Sequence, residues 1–328
     1  MVARSANPIG MLQLGALASL LCFAPILVPL PWIALLVAMF GFSWFYNAIM
    51  PQFEALTLSH LRSAPEQYSG IRLWGSLGFI ASVLAGGWLC EHFGYALVPA
   101  LMFACLLAVV GYSTVNSYAV ELEVEVKDQS AQKPASVGSA SIFLGVAFLM
   151  QVAHGPYYVY FSLLLDRHGY TPSAAGLYWS LGVLSEIAMF LVAPKLLRRF
   201  VLSTLISWCV AIGGLRWILT GVYIDIWWLL VLLQLGHALT FGLFHACAMR
   251  SLAILYPGAS AGHGQALLYG LGSGAGGVAG SLMAGAIWSH VSDRASFVAA
   301  GLVSLSALLL IPGLRLALQP RKNSPTIG

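Results

Sequence analysis

Apolar runs about as long as a bilayer is thick follow one another along almost the whole chain. A transmembrane helix needs about 20 predominantly apolar residues, and a window of that length finds ten such runs. They cover residues 9–30, 32–58, 69–90, 95–117, 139–164, 172–194, 201–221, 226–250, 265–289 and 295–317. Only 8% of the 328 residues are charged, whereas soluble domains carry about 25%. The sequence therefore excludes a soluble fold and predicts an all-α, polytopic membrane protein with about ten transmembrane helices.

The distribution of lysine and arginine predicts the orientation in the membrane. If both termini lie on one side, that side receives Arg4, Arg62, Arg72, Lys127, Lys133, Lys195, Arg198, Arg199, Arg250, Arg315, Arg321 and Lys322. The other side receives only Arg167 and Arg294. Cytoplasmic links carry the excess of positive charge, so we expect cytoplasmic termini and a location in the cell inner (plasma) membrane. The basic residues serve topology, and no nucleic-acid partner is expected.

A long polar link divides the chain into two bundles. Residues 118–138, which contain ELEVEVKDQSAQK, are predicted to form a cytoplasmic hinge loop. The link separates an N-terminal bundle of four helices (1–117) from a C-terminal bundle of six (139–318), and residues 319–328 form a cytoplasmic tail.

A loose internal repeat indicates a larger parent architecture. Ala85–Trp88 and the polar turn after it recur about 199 residues later at Ala284–Trp288. Parallel repeats of this kind build several transporter families; a chance match between Gly/Ala-rich spans is the alternative. If the repeat is real, the first bundle lacks counterparts of two helices of the second. We therefore expect a twelve-helix plan without its first two helices.

The span 226–250 carries polar side chains well inside its apolar run. At about 100° per residue, Gln234, His237 and His245 share one broad face of an α-helix. Polar groups that face hydrocarbon are costly, so this face should look onto protein or a water-filled cavity. For each histidine, a simple hydrogen bond between helices is the alternative.

Two charged residues lie deep inside other spans. A carboxylate such as Glu186 at the bilayer centre costs about 2.5–3.5 kcal/mol and needs a partner or a proton, which favours a role in proton coupling or substrate binding over a neutral packing role. Arg216 could pair with Glu186 or receive a substrate carboxylate through its bidentate fork. Extension of its side chain to the membrane surface is the alternative.

Further polar residues mark the spans 139–164 and 32–58. The first contains Gly155-Pro156, which should break or kink the helix. Around this pair lie polar side chains, mostly at three- and four-residue steps: Gln151, His154, Tyr157 and Tyr158. This cluster is a candidate gate or substrate contact, with a packing kink as the alternative. In the span 32–58, Asn47 and Glu54 share a stripe, for which a solvated helix end is the alternative to a pathway role.

Small residues at four-residue steps predict close helix contacts. Gly78, Ser82 and Gly86 form one such ridge, and Gly272, Gly276 and Gly280 form another. The glycine-rich run in the second ridge lacks the strand–loop–helix context of a phosphate-binding loop. We therefore reject nucleotide binding.

Several motifs together resemble the major facilitator superfamily, and specifically its phenylpropionate-permease-like branch, whose neighbours include nucleoside:proton symporters. The matching stretches are YSGIRLWGSLGFI (68–80), HGPYYVYFSLLLDRHGY (154–170), GLYWSLGVLSEI (176–187), LRW (215–217), QLGHALTFGLFHA (234–246) and GHGQALLYG (262–270). The resemblance implies two six-helix bundles around a central cavity, alternating access by rocking, and proton coupling. It also implies that His154, Glu186, Arg216, His237 and His245 are cavity residues.

The chain departs from the family pattern at three places. It opens at what resembles the third helix, Glu54 stands where an aspartate is expected, and the basic turn usual between helices ten and eleven is reduced to PGASAGHGQ (257–265). The absent helices would supply part of the cavity wall.

The sequence therefore predicts a proton-coupled secondary transporter of a small organic solute, with an aromatic or other organic acid as the first choice. A nucleoside or other neutral solute is one alternative, and a truncated, non-transporting chain or partner subunit is another. An enzyme is not expected because no nucleophile–base pair is apparent. The five cysteines are scattered through apolar runs, and we expect neither a metal nor a cofactor. Substrate, protons and lipid are the expected partners, and the sequence leaves the oligomeric state open.

Overall fold

A computed structural model gives the structure of the chain and describes residues 8–60, 68–115 and 135–319. Within these ranges every regular element is a helix, and nine of the described helices are long and apolar enough to cross a membrane. The predicted all-α, polytopic membrane architecture is confirmed. Most of the predicted hinge loop 118–138 and of the tail 319–328 lies outside the described residues.

The chain divides into two compact units, Met1–Lys127 and Asp128–Gly328. The first contains α1 (Pro8–Phe23), α2 (Trp32–His60), α3 (Tyr68–Phe93) and α4 (Val98–Val115). Helix α1 packs against α2 and α4 around the buried side chains of Leu20, Phe23 and Leu106. Among the described residues, nothing lies within 4 Å of the position that a Cβ atom would take on Gly78 or Gly86, so the predicted ridge on α3 makes no close contact in this unit.

The second unit contains the remaining helices. They are α5 (Val137–Arg167), α6 (Pro172–Arg199), α7 (Leu202–Val222), α8 (Trp227–Leu235), α9 (Phe244–Leu255), α10 (Ala261–Leu267), α11 (Gly276–His290), α12 (Asp293–Ser306) and α13 (Ile311–Ala317). The side chains of Ser136, Thr171 and Ser292 cap α5, α6 and α12 by accepting a backbone N–H three residues further on. These caps satisfy donors that the first helical turn leaves unpaired.

Two of the predicted spans contain a π-helical turn. Residues Ala238–Leu243 form such a turn between α8 and α9, and Leu268–Ala275 form another between α10 and α11. A π turn accommodates one extra residue, so the regular step of about 100° per residue applied to the span 226–250 does not hold through Ala238–Leu243. The predicted span 265–289 lies within the α10–α11 helix, which is not among the nine described helices that meet the length and hydropathy criteria.

Helix α5 runs unbroken through Gly155-Pro156, so of the predicted break or kink, the break does not occur. Proline has no N–H, and Pro156 therefore leaves the carbonyl group of Val152 without its helical donor. Helix α11 packs along α5 at this level, and a Cβ atom on Gly280 would lie 2.9 Å from the carbonyl carbon of Val152. The missing side chain of Gly280 thus allows the α11 backbone to cover the unpaired carbonyl, which confirms the second glycine ridge as a helix contact.

Two apolar clusters fill the second unit, one towards each end of its helices. The first includes Phe143, Met150 and Cys247, and the second includes Phe161, Phe297 and Leu230. Between these clusters lie buried polar and charged side chains of α5, α7, α8 and the π turn after α8, together with the partly buried Glu186 of α6. We call this region the polar layer and define it by His154, Tyr157, Glu186, Arg216, Gln234, His237 and Thr240.

Candidate functional site

Arg216 lies at the centre of the polar layer and is 1% exposed. Its Nε donates to the Leu233 carbonyl at 2.7 Å, at the end of α8. Its terminal nitrogens donate to Gln234 Oε1 at 3.1 Å and to Thr240 Oγ1 at 3.2 Å. The side chain is therefore held inside the protein, which excludes the alternative that it extends to the membrane surface.

Aromatic rings cover the Arg216 guanidinium. Its carbon atom Cζ lies 4.1 Å from the ring centre of Trp217 and 4.6 Å from that of Tyr157. Such cation–π contacts are worth about 2 kcal/mol or more when they are desolvated. Burial of a charge remains costly when its hydrogen bonds go only to neutral acceptors. The rings thus compensate part of the cost of burying the guanidinium.

Tyr157 joins α5 to α8 across the layer. Its hydroxyl donates to Gln234 Oε1 at 2.9 Å, the same oxygen that accepts from Arg216. Gly182 on α6 leaves room for this bond, because a Cβ atom there would lie 3.3 Å from the hydroxyl. A glycine at this position lets α6 approach the layer closely.

His237 connects Arg216 to Glu186. Its Nδ1 atom lies 3.4 Å from a terminal nitrogen of Arg216, and its Nε2 atom lies 3.8 Å from Glu186 Oε2. The Glu186 side chain is 18% exposed and that of His237 is 7% exposed. Of the groups in this chain of contacts, the Glu186 carboxyl is therefore the most accessible from outside the layer.

His154 approaches the same cluster from α5. Its Nδ1 contacts the Met150 carbonyl at 2.7 Å, and its ring packs edge-on against Trp217 with a centroid distance of 5.2 Å. Among the described atoms, three buried side-chain nitrogens of the layer have no hydrogen-bond partner: His154 Nε2, Trp217 Nε1 and Gln234 Nε2. The layer can therefore offer further hydrogen bonds to a polar group that enters it.

The structure brings six of the eleven predicted site residues together: His154, Tyr157, Glu186, Arg216, Gln234 and His237. His245 lies further along α9, where its ring contacts those of Phe241 and Phe190. The ring of Phe241 lies between those of His237 and His245 and is nearly parallel to both. The π turn, which the helical wheel did not include, separates His245 from the other two polar residues of that span.

The remaining predicted residues lie elsewhere. Gln151 faces α11, where a Cβ atom on Gly277 would be 3.8 Å from its amide nitrogen. Tyr158 is 44% exposed and its ring contacts those of His154 and Tyr157 at the edge of the layer. In the first unit, Asn47 is exposed and donates to the Ser43 carbonyl of its own helix. Glu54 lies on α2, but its side chain is outside the described set.

Sequence reasoning missed Thr240, Trp217 and Gly182 as components of the site. A threonine, a tryptophan or a glycine in an apolar span is common and carries no signal of its own. Only the position of Trp217 directly after the buried arginine could have indicated its contact. Among the described residues, no group of three His, Cys, Asp or Glu side chains could hold a metal ion.

A second polar cluster, also missed, joins three segments of the chain at one end of the second unit. Asp225 accepts from Arg294 and contacts His168 Nδ1 at 2.8 Å, while His168 Nε2 lies 3.6 Å from Asp293. The hydrogen bond from Arg294 holds the pKa of the Asp225 carboxyl below its usual range. This cluster connects the C-terminal cap of α5, the loop after α7 and the first turn of α12.

Comparison with known proteins gives matches along most of the chain. The MFS_1 like family profile matches residues 1–299. The chain is 29% identical to a protein of Escherichia coli named "Probable 3-phenylpropionic acid transporter", over 85% of this chain and 73% of that protein. It is also 29% identical to the maltose permease of Geobacillus stearothermophilus, over 55% of this chain and 46% of the permease.

Solved structures show the same architecture. A mutant of the nucleoside transporter NupG superposes with a TM-score of 0.77 at 16% identity, over 96% of this chain and 85% of that one. A mutant of the peptide transporter POT superposes with a TM-score of 0.70 at 14% identity, over 97% of this chain and 82% of that one. At these identities the likeness shows the fold alone.

Proposed function

Because the chain belongs to the MFS_1 like family of major facilitator transporters, we propose that it moves a small organic acid across the membrane together with protons. Transport proceeds by alternating access, in which the polar layer opens to one side of the membrane and then to the other. The observation that carries this proposal is the contact between the partly accessible Glu186 carboxyl and the buried His237, inside a membrane-spanning unit.

The substrate class follows from the charge and the aromatic side chains of the polar layer. Arg216 supplies a buried positive charge, the rings of Tyr157 and Trp217 pack next to it, and the ring of Trp179 packs against that of Tyr157. An organic acid that carries both a carboxylate and an aromatic ring complements both features. The name of the Escherichia coli relative, a 3-phenylpropionic acid transporter, supports the same class.

Proton coupling follows from like-charge repulsion at Glu186. Two unit charges 4 Å apart interact with about 4 kcal/mol at an effective dielectric constant of 20. An ionised Glu186 would therefore weaken the binding of a carboxylate at that distance by about a thousandfold. When Glu186 takes a proton the repulsion disappears, and the charge of Arg216 attracts the substrate anion. Substrate and proton thus bind together.

The distribution of lysine and arginine supports the orientation that we propose for the chain. Both termini lie in the cytoplasm, and the loop cluster around Asp225 lies on the opposite side of the inner membrane. Cysteine accessibility scanning of the loop that contains Asp225 and of the last turn of α6 around Arg198 tests this, because only the first should react with an impermeant maleimide in intact cells.

Uptake into proteoliposomes tests the function. The purified chain should accumulate radiolabelled 3-phenylpropionate when the outside is acidic and should not do so without a pH gradient. Glu186→Gln should abolish gradient-driven accumulation but retain exchange of internal for external substrate, because an amide resembles the protonated acid. Glu91→Gln makes the same chemical change at an exposed residue of α3 and should leave both activities unchanged.

Two outcomes would contradict the proposal. Accumulation that survives Glu186→Gln would exclude that carboxyl as the coupling group. Uptake that unlabelled nucleosides inhibit, and aromatic acids do not, would replace the acid by a neutral solute. In that case the unpaired nitrogens of Gln234 and Trp217 would be the groups that recognise the substrate.

A further inference from the structure

The hydrogen bonds of Arg216 leave little of its guanidinium for a substrate. An arginine side chain has five N–H groups and no acceptor. Four of them point to protein acceptors: the Leu233 carbonyl, Gln234 Oε1, Thr240 Oγ1 and His237 Nδ1. The rings of Trp217 and Tyr157 also cover the group. A bidentate bond to a substrate carboxylate would require several of these contacts to break.

The same bonds determine which nitrogen of His237 carries the proton. Arginine can only donate, so the His237 Nδ1 atom that faces it must present a lone pair. The neutral imidazole then carries its hydrogen on Nε2, the nitrogen that faces Glu186 Oε2 at 3.8 Å. A cationic imidazole would place an N–H on Nδ1, directly opposite an N–H of Arg216.

We infer that Arg216 is a positioning residue: it holds His237 in the neutral tautomer whose Nε2–H points at the Glu186 carboxyl. The guanidinium does not bind the substrate carboxylate directly. It acts on the substrate through its charge, and on the proton site through the orientation of His237. This inference rests on the proposed function only in the role that it gives to Glu186.

The groups around His237 are consistent with this assignment. Glu186 faces it from α6 and Arg216 from α7, while the rings of His154 and Tyr157 lie 6.5 and 5.6 Å away on α5. Phe241 of its own helix stacks on the ring at 5.2 Å. Among these described neighbours, Glu186 supplies the one carboxyl group, and it faces Nε2 of His237.

His154 provides an internal comparison. Its Nδ1 contacts the Met150 carbonyl, which can only accept, so this nitrogen must carry the hydrogen. The two neighbouring histidines should therefore be opposite tautomers, with Nδ1–H in His154 and Nε2–H in His237.

Nuclear magnetic resonance of the full chain in nanodiscs, with ¹⁵N-labelled histidine rings, measures both tautomers without any transport. The signal that disappears in His237→Gln should be a single neutral Nε2–H form at pH 7. It should remain so at pH 6, where about three quarters of an unperturbed histidine is cationic. The signal that disappears in His154→Gln should be the Nδ1–H form. If either variant fails to fold, single replacement of the other seven of the eight histidines identifies its signal by elimination.

Variants of Arg216 complete the test. In Arg216→Met the single form of His237 should be lost and a cationic or Nδ1–H population should appear, whereas Arg216→Lys, which keeps a donor, should retain the Nε2–H form. Thr240→Val removes a different acceptor of Arg216 and should leave the His237 signal unchanged. A cationic or Nδ1–H His237 in the unmodified chain would overturn the inference. Absence of phenylpropionate uptake with the expected tautomers would refute the proposed function alone.

Discussion

The contact between Gly280 and Val152 gives a quantitative test of how α11 packs on α5. In Gly280→Ala, the new methyl carbon would lie 2.9 Å from the carbonyl carbon and the α-carbon of Val152, and closer still to the carbonyl oxygen. All three are backbone atoms, which cannot rotate away as a flexible side chain can. Since ordinary contact begins at 3.4 Å, α11 must move at least about 0.5 Å away from α5.

This displacement sets the expected cost. A gap of about 0.5–1 Å forfeits a quarter to a half of each dispersion contact across the interface. Overpacking of this kind costs about 1–3 kcal/mol, which corresponds to a fall in Tm of roughly 2–12 °C for a domain of 150–250 residues. The freed Val152 carbonyl would also lose the backbone that covers it.

Gly277→Ala is the matched control. It lies on the same helix and gains the same helix propensity, but its methyl carbon would be 3.8 Å from the nearest atom, Gln151 Nε2. The assay is the fraction of protein that stays monodisperse in detergent after heating, measured by size-exclusion chromatography. An equal change in Tm for both variants would refute the close backbone contact at Gly280.

Two further predictions concern the polar layer and the loop cluster. Gly182→Ala should change Tm by less than about 3 °C, because a shift of a few tenths of an ångström accommodates the methyl group at 3.3 Å from the Tyr157 hydroxyl. The same substitution should reduce phenylpropionate uptake severalfold, because that shift disturbs the hydrogen bond between Tyr157 and Gln234. Asp225→Asn should lower Tm by roughly 1–3 °C at pH 7, because the Asp225 side chain is 58% exposed and exposed ion pairs contribute little. The pKa of Asp225 is lowered in the folded chain. The stabilisation that Asp225 provides is therefore complete above the ordinary aspartate range and is lost as the pH falls through the lowered pKa. The difference in Tm between Asp225→Asn and the unmodified chain should accordingly vanish in acid.

Each of these outcomes has a control that isolates its cause. Uptake by Gly182→Ala is compared with that by Gly277→Ala, which adds the same methyl group away from the layer. Asp166→Asn removes an exposed carboxyl near the same loops and keeps both residues of the Asp225–Arg294 pair. A Tm difference for Asp225→Asn that persisted or grew in acid would contradict the sign of the pKa shift.

The fold class was predictable because hydrocarbon imposes simple requirements on sequence. A spanning segment must be apolar, helical and about 20 residues long, and these properties are visible without any tertiary information. The glycine ridge on α11 was predictable for the same reason, since close helix contact needs small residues at four-residue steps. The cover that α11 gives to the Val152 carbonyl was not predictable, because it depends on Gly280, which is more than a hundred residues away in sequence.

The site was predictable only where a residue type is costly in a membrane. Glu186, Arg216 and His237 attract attention because burial of a charge or an imidazole requires partners, and the structure provides those partners. The helical wheel did not include the π turn, because the sequence ALTFGL does not reveal it. The His245 ring is nevertheless linked to that of His237 through Phe241. Thr240 and Gly182 could not be identified from sequence because their contribution is a single contact in three dimensions.

The π turn at Leu268–Ala275 also has a consequence for insertions and deletions. A deletion in an ordinary α-helix rotates everything beyond it by about 100° and moves the buried face out of register. A π turn already contains one residue more than an α-helical turn, so removal of a residue there lets the helix become continuous while α10 and α11 keep their faces. This turn contributes no side chain to the polar layer. Deletion of one residue within Leu268–Ala275 should therefore be tolerated, whereas the same deletion in the neighbouring α-helical turns of this helix should not be.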